Sequence, residues 1–354
     1  MTAGNFGLID FGWSAFFAAQ LDSDEATTLI PARVMAVHRS RIHVAGITMD
    51  TKIGSFINAD ADEETVPTVG DWLLLDRKTL RPRRLLNRVN VFKRRAAGTG
   101  RRIQLIAANI DTLFIVSSCN QEFNLARLER YLALAAHARV LPIVVLTKPD
   151  LAANSGDFAS AAAGLWPHLL VKTLDARHPG SVASLLPWCG RGQTVALVGS
   201  SGVGKSTLIN TLTGRDQIAT REIREDDDEG RHTTTGRAFH RMHAGGLLLD
   251  TPGMRELQLT DVKAGLENLF AEIGVLASRC RFKDCRHKSE PGCAVSAAVA
   301  SGALTPERLK RWRKLDAEEA HNSSSLSERR ARDRSFGKLV RGATKNKRSR
   351  DHEG

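Results

Sequence analysis

The stretch Val195-Ala196-Leu197-Val198-Gly199-Ser200-Ser201-Gly202-Val203-Gly204-Lys205-Ser206-Thr207 decides the fold. Its first four residues read as a strand buried on both faces, and Gly199 to Ser206 has the form G-x-x-x-x-G-K-S. A helical pattern with Leu208, Ile209 and Leu212 follows and stops at Gly214. Strand, glycine-rich turn and helix in that order form the context in which this motif cradles phosphates. The glycines let backbone N–H groups wrap an anion at the helix N-terminus. Lys205 supplies a point charge to the β and γ phosphates, Ser206 offers a hydroxyl to Mg²⁺, and Thr207 completes the loop.

Downstream, Asp250-Thr251-Pro252-Gly253 follows the apolar run Leu247 to Leu249 and has the form D-x-x-G. Asp250 can reach Mg²⁺ through water, and the Gly253 N–H can contact the γ-phosphate. Between the two motifs lies Thr233-Thr234-Thr235, a source for the threonine that completes the Mg²⁺ shell, with Thr234 as the choice. The segment Glu222 to Glu229 holds six acids and few apolar residues, so this loop is expected to be mobile without nucleotide.

Upstream, Thr147-Lys148-Pro149-Asp150 follows the apolar run Ile143 to Leu146 and is close to the N-K-x-D box that reads guanine. The Asp150 carboxylate can accept both N1–H and the 2-amino group of guanine. Adenine offers neither, so an adenine complex would leave a carboxylate unpaired. Threonine stands at 147 where asparagine is usual; it keeps a hydroxyl and loses an amide. The base box precedes the phosphate loop by 49 residues, from Asp150 to Gly199, the reverse of the ordinary order. The chain therefore reads as a circular permutation, which a sheet tolerates because its contacts do not depend on where the chain is cut.

Two further strand–helix signals complete an α/β domain with a largely parallel sheet. Asp111 to Ser117 is a continuous apolar run, as a strand buried on both faces requires, and Asn124 can cap a helix bearing Leu125, Leu128 and Leu132. Residues 31 to about 95 read instead as several short strands, including the alternating Val34, Ala36, Ile42 and Val44 and the run Trp72 to Leu75. That size fits an OB-fold barrel, and periodicity alone does not distinguish it from an SH3-like barrel. Arg94 to Arg102, with two glycines among arginines, reads as a linker. The expected boundaries are 1–95 for the N-terminal segment and barrel, 96–258 for the permuted domain, and 259–354 for the remainder.

Cys280, Cys285, His287 and Cys293 form C-x₄-C-x-H-x₅-C. Three thiolates and an imidazole at this spacing suit one tetrahedral Zn²⁺, and four protein ligands leave no open position, so the site is expected to be structural. Lys283, Arg286 and Lys288 lie among the ligands. Thr305-Pro306 then opens a helix carrying Leu309, Trp312 and Leu315, and Trp312 is expected to pack on the metal module. Cys119 and Cys189 stand apart as core residues.

The 354-residue chain is 42% hydrophobic and 25% charged, which excludes wholesale disorder. No apolar run reaches the length of a membrane span, and the first 30 residues lack a basic n-region, so neither membrane insertion nor secretion is expected. Five cysteines do not make a disulfide framework. The net charge is +12, and residues 308–350 hold 15 Lys and Arg against 5 Asp and Glu, an excess of ten. A localised basic segment points to a polyanion, nucleic acid first. The tail beyond Ser323 is expected to order against RNA.

With TKPD, GSSGVGKS, GRHTTT and DTPG on one chain, the sequence resembles the ribosome small subunit-dependent GTPases, the RsgA (YjeQ) family of circularly permuted GTPases. The resemblance runs from about residue 31 to near the end. It implies an N-terminal OB barrel, a central GTPase domain and a mostly helical C-terminal zinc domain, acting in late maturation of the 30S subunit. The second base-contacting loop of such proteins is usually a Ser-Ala pair. Here it falls near Leu174-Asp175-Ala176, with Asp175 in place of the small residue.

The expected activity is hydrolysis of GTP to GDP and phosphate by a cytoplasmic monomer, stimulated by the small subunit, with 16S rRNA contacted by the barrel and the zinc module. The rival readings are a P-loop ATPase or nucleotide kinase and a passive RNA-binding protein with a weak nucleotide site. Asp150 and the switch threonines oppose the first; Lys205, Ser206 and Asp250 oppose the second. Met254 occupies the place just after D-x-x-G where a glutamine orients water in Ras-like enzymes. Its thioether cannot do so, and His232, beside Thr233, is the candidate catalytic group.

Overall fold

The computed structural model describes residues 7–38, 41–54, 65–95, 103–214, 237–250 and 262–323, with the backbone alone at Arg95, Arg237 and Asp250. The chain divides into two compact units, Met1–Gln258 with Ala264–Ala271, and Leu259–Lys263 with Glu272–Gly354. No helix among the described residues is long and apolar enough to cross a membrane.

In the first unit, β1 (Leu29–Val37), β2 (Arg41–Gly46), β3 (Met49–Gly54), β4 (Trp72–Asp76) and β5 (Pro82–Leu85) pair in the order β3-β2-β1-β4-β5. All these pairings are antiparallel. Alternation puts Ala32, Val34, Ile42, Val44, Leu73 and Leu75 on the inner face, where they form one core. The residues before β1 pack on this unit too. Phe11 and Phe17 are buried, and Trp13 and Phe17 lie against Trp72 at centroid distances of 4.8 and 5.8 Å.

The segment expected to be a linker is flanked by paired strands. β6 (Val91–Arg95) and β7 (Ile103–Ala108) form an antiparallel ribbon in which Arg95 opposes Ile103. Phe92 and Ile106 are buried in it, so strands continue on both sides of the glycine–arginine run.

From β8 (Thr112–Ser118) the chain runs through α1 (Leu125–Ala138), β9 (Leu141–Thr147), α2 (Ser155–Ala163), β10 (Leu170–Thr173), β11 (Thr194–Val198) and α3 (Lys205–Thr213); β8, α1, β9, β11 and α3 fall where the sequence predicts them, and α2 and β10 are additional. Then come β12 (Arg237–Arg241), β13 (Leu247–Asp250) and α4 (Lys263–Leu269). β10, β9, β8, β11 and β13 are mutually parallel neighbours. Their continuous apolar sequences suit burial on both faces, and Phe114, Ile143, Val195, Leu208 and Leu248 share one core with α3. Asn124 caps α1 by accepting from the Arg127 N–H at 3.1 Å, and Gly214 ends α3 at φ 63°.

The N-terminal antiparallel strands and the nucleotide sheet are one hydrogen-bonded system. β12 runs antiparallel to β13 on one side and to β1 on the other, where Ala36 opposes Ala238. Arg33 of β1 sits at this junction, 1% exposed. It donates at 2.9 Å each to the carbonyls of Phe11 and Asn109 and lies over the Trp72 and Phe239 rings at 5.4 and 5.7 Å. Burial lowers its guanidinium to about 10.

The second unit contains α5 (Ala271–Ala277), α6 (Ala294–Ala300) and α7 (Pro306–Ser323). Thr305 Oγ1 accepts from the Arg308 N–H at 3.2 Å, the cap its sequence predicts. Leu309 and Leu315 are buried, and Arg308 pairs with Glu272 at 2.9 Å.

Candidate nucleotide site and metal centre

Parallel strands bring their carboxyl ends to one edge, and in such sheets ligands bind in the crevice beyond that edge. Here the edge collects Thr147 from β9, the loop after β10, the glycine loop after β11 and Asp250 at the end of β13. Residues far apart in sequence thus become neighbours through strand order.

The glycine loop needs its glycines. Gly199 has φ 146°, and a Cβ there would lie 2.2 Å from the Val116 carbonyl oxygen. Gly204 has φ 90°, a conformation in which a side chain would be strained. Lys205 is 5% exposed. Its Nζ folds onto the loop, donating to the Gly199 carbonyl at 2.8 Å and to the Ser200 carbonyl. Ser206 and Thr207 follow on the first turn of α3.

The Thr147 loop is tied to this loop twice. Thr147 Oγ1 donates to the Val203 carbonyl at 2.6 Å and lies 3.1 Å from the Ser117 carbonyl. A hydroxyl has one proton, so the Thr147 proton is engaged by backbone and the oxygen is left as an acceptor. Lys148, at φ 55°, reaches across to donate to the Gly202 carbonyl at 2.6 Å. Pro149 then opens a single 3-10 turn, Pro149–Leu151, that carries Asp150.

Asp150, Lys148, Thr207 and the Asp175-Ala176-Arg177 loop line a cleft of about 260 Å³. Asp175 holds Arg177 by a fork: Nε to Oδ1 at 2.9 Å and Nη2 to Oδ2 at 2.6 Å. The Arg177 N–H also bonds Asp175 Oδ1 at 2.9 Å. These donors lower the Asp175 carboxyl to about 2, and the same contacts raise the Arg177 guanidinium. Arg177 Nη2 extends further, to Asp150 Oδ2 at 3.2 Å. Arg177 carries no motif signal beyond its place next to Asp175-Ala176. Arg127, which reaches Ser200 Oγ from the first turn of α1, carries none either.

The phosphate loop, the Thr147–Asp150 box and the end of β13 are therefore assembled at one edge. Thr234, His232, Gly253, Met254, the acidic run 222–229 and the tail beyond Ser323 lie outside the described residues.

In the second unit, one donor atom from each of Cys280, Cys285, His287 and Cys293 lies within 4.8 Å of all the others. The Cys280 and Cys293 sulfurs are 3.9 Å apart and stand 3.5 and 3.6 Å from His287 Nδ1. Zinc bonds of about 2.3 Å to sulfur and 2.0–2.1 Å to nitrogen give tetrahedron edges of about 3.8 and 3.5 Å, so the donor set fits that ion. Trp312 packs on His287 at 5.9 Å, and Arg313 donates to the His287 carbonyl. Glu290 accepts from the N–H groups of Arg286, Lys288 and Ser289, which shapes the turn between ligands. Cys119 and Cys189 are buried elsewhere.

Comparison with known proteins places these features together. Residues 85–260 match the family profile described as RsgA GTPase. A relative from Mesorhizobium japonicum, named small ribosomal subunit biogenesis GTPase RsgA, is 50% identical over 326 residues, spanning 91% of this chain and 93% of its own. One from Vibrio parahaemolyticus, named small ribosomal subunit biogenesis GTPase RsgA 2, is 47% identical over 346 residues, spanning 97% and 94%. The solved structure of YjeQ from Thermotoga maritima superposes with a TM-score of 0.59 at 22% identity, covering 81% of this chain and 97% of that one. YloQ, described as a circularly permuted GTPase, also gives 0.59, at 24% identity and 86% and 100% coverage. These two structures share the fold.

Proposed function

Because the chain belongs to the RsgA family of GTPases, we propose that it hydrolyses GTP to GDP and phosphate and that its nucleotide state controls binding to the small ribosomal subunit late in 30S maturation. The observation that carries this reading is the double tie between the base-reading and phosphate loops, Thr147 to Val203 and Lys148 to Gly202. A site so joined presents base and phosphate groups to one ligand at a set separation. Asp150 reads the base. Lys205, released from the Gly199 and Ser200 carbonyls, meets the β and γ phosphates, and Gly199 to Thr207 wrap them. Ser206 and Thr234 would hold Mg²⁺, with Asp250 acting through water, and the bound ion would supply positive charge beside the phosphate oxygens. Gly253 donates to the γ-phosphate.

In the reaction a water oxygen bonds to the γ-phosphorus as the bond to the β–γ bridging oxygen breaks. His232 orients that water, the role Met254 cannot fill. The Cys280–Cys285–His287–Cys293 cluster holds one structural zinc. Its basic neighbours and the barrel contact 16S rRNA, and the protein acts as a cytoplasmic monomer.

The test is phosphate release with GTP and with ATP, each with and without 30S particles, for the wild type and His232→Ala. GTP-specific turnover that 30S accelerates, and that His232→Ala largely loses, is the expected result. Equal turnover of ATP points to a P-loop ATPase, and no turnover with either nucleotide points to a passive RNA-binding protein. A full stimulated rate in His232→Ala removes the histidine from the mechanism.

A further inference from the structure

The base cleft contains a cation that the phosphate-loop motifs do not account for. Arg177 is held by the two-pronged contact with Asp175 and touches Asp150 with the outer nitrogen of the same guanidinium. The Asp175 grip is the tighter one, with contacts of 2.6 and 2.9 Å against a single 3.2 Å contact to Asp150. Asp175 is therefore the anchor, and its 20% side-chain exposure contrasts with 48% for Asp150 and 60% for Arg177. The loop is braced from behind: the Asp175 N–H donates to Ser181 Oγ at 3.0 Å, and Thr211 Oγ1 donates to the Ala176 carbonyl at 2.6 Å.

We propose that Arg177 is a second base-reading residue, which donates to O6 of guanine while Asp150 accepts from N1–H and the 2-amino group. The inference rests on the assignment of this cleft to guanine. On the guanine edge the N1–H donor and the O6 acceptor are adjacent. Asp150 Oδ2 and Arg177 Nη2 present the complementary acceptor and donor side by side, already in contact in the described geometry. A carboxylate oxygen has a second lone pair, so Oδ2 can take N1–H without giving up Arg177.

The arrangement also meets a need created by Thr147. Its hydroxyl is spent on the Val203 carbonyl and no amide is present, so this position offers the base no donor. Arg177 restores a donor and makes it charge-assisted. Against adenine it adds a penalty, because the 6-amino group would point N–H bonds at a guanidinium that can only donate. Asp175, at the place where a small residue is usual, acquires a reason: without a carboxylate there, Arg177 would be free to close onto Asp150 alone.

The discriminating ligand is 6-thio-GDP, which keeps N1–H and the 2-amino group but replaces O6 with a poor acceptor. Binding of GDP, 6-thio-GDP and ADP to the full chain is measured for the wild type, Arg177→Met and Arg177→Lys. The wild type should favour GDP over 6-thio-GDP by roughly tenfold, the scale of one charge-assisted hydrogen bond. Arg177→Met should weaken GDP and bring the two ligands within about threefold, with Arg177→Lys between. A loop that is merely damaged weakens both ligands alike and leaves their ratio unchanged.

If the wild type prefers GDP to ADP yet shows no preference over 6-thio-GDP, or if Arg177→Met keeps the full ratio, the role of Arg177 is overturned. Tighter GDP binding by Arg177→Met also overturns it, by showing that the arginine blocks the cleft. If the wild type binds ADP as tightly as GDP, the guanine assignment itself falls.

Discussion

Thr147 Oγ1 donates to the carbonyl of Val203 at 2.6 Å, joining the end of β9 to a phosphate loop 56 residues later in the chain. The bond is fully buried, so its worth lies in what its loss would leave behind. Thr147→Val keeps the shape and removes the proton. The Val203 carbonyl then has no donor at this contact, a cost of about 1–3 kcal/mol. The urea midpoint should fall accordingly, and GDP affinity with it. An unchanged midpoint would show that the hydroxyl is not needed to join the loops.

Lys205 illustrates a different balance. Its Nζ bonds two loop carbonyls without ligand, so Lys205→Ala removes both contacts but also removes a nearly buried charge. These effects oppose each other, and the melting temperature should move by only a few degrees. Turnover of GTP should be lost, because Lys205 is the cation placed to meet the β and γ phosphates, whereas Arg127 and Lys148 touch the loop elsewhere, at Ser200 Oγ and the Gly202 carbonyl. Single-turnover hydrolysis with saturating 30S measures this, and most of the wild-type rate in the variant would reject the role.

Asp150→Asn exchanges an acceptor oxygen for an amide donor. Guanine nucleotides should weaken by tenfold or more, on the order of one lost charge-assisted pair. Xanthine nucleotides, with a carbonyl where guanine has its amino group, should gain. Competition of GDP and XDP for the variant reads both, and an unchanged GDP affinity would dissociate Asp150 from the base.

The metal cluster should bind one equivalent of zinc, and chelation should unfold the second unit before the first. The four ligands bring together residues 280 to 293, so metal binding adds its free energy to the Glu290 turn and the Trp312 and Arg313 contacts that shape the same loop. Metal analysis of reduced protein, followed by hydrogen exchange after chelation, checks both points. Protein that contains no zinc, or that retains protection over residues 280–293 without it, would contradict the assignment.

Arg33 should prove one of the least replaceable residues away from the ligands. Arg33→Leu leaves the Phe11 and Asn109 carbonyls without this donor in a buried junction, at roughly 1–3 kcal/mol each. Chemical denaturation of the variant is the measurement, and a loss below 1 kcal/mol would mean that water replaces the guanidinium.

The parts of the site legible in the primary sequence are those carried by a few consecutive residues. Gly199 to Ser206, Thr147 to Asp150 and the Cys280–Cys293 spacing each encode their geometry locally, through glycine conformations, a strand end or a short loop. The alternation of strands and helices from Asp111 onward was equally readable, because burial on both faces demands continuous apolar runs. The antiparallel ribbon around residues 96–102 was not, since glycines among arginines look the same in a linker and in a connection between paired strands.

Arg177 against Asp150, Arg127 against Ser200, and Arg33 between Phe11 and Asn109 were also hidden. Their partners are 27, 73, 22 and 76 residues apart, and no local pattern marks an arginine that will meet them. The same holds for β12 lying between β13 and β1, which joins the N-terminal antiparallel strands to the nucleotide sheet. Such contacts follow from strand order. Strand order is set by the packing of the whole first unit, where each pairing must bury its apolar faces together with all the others.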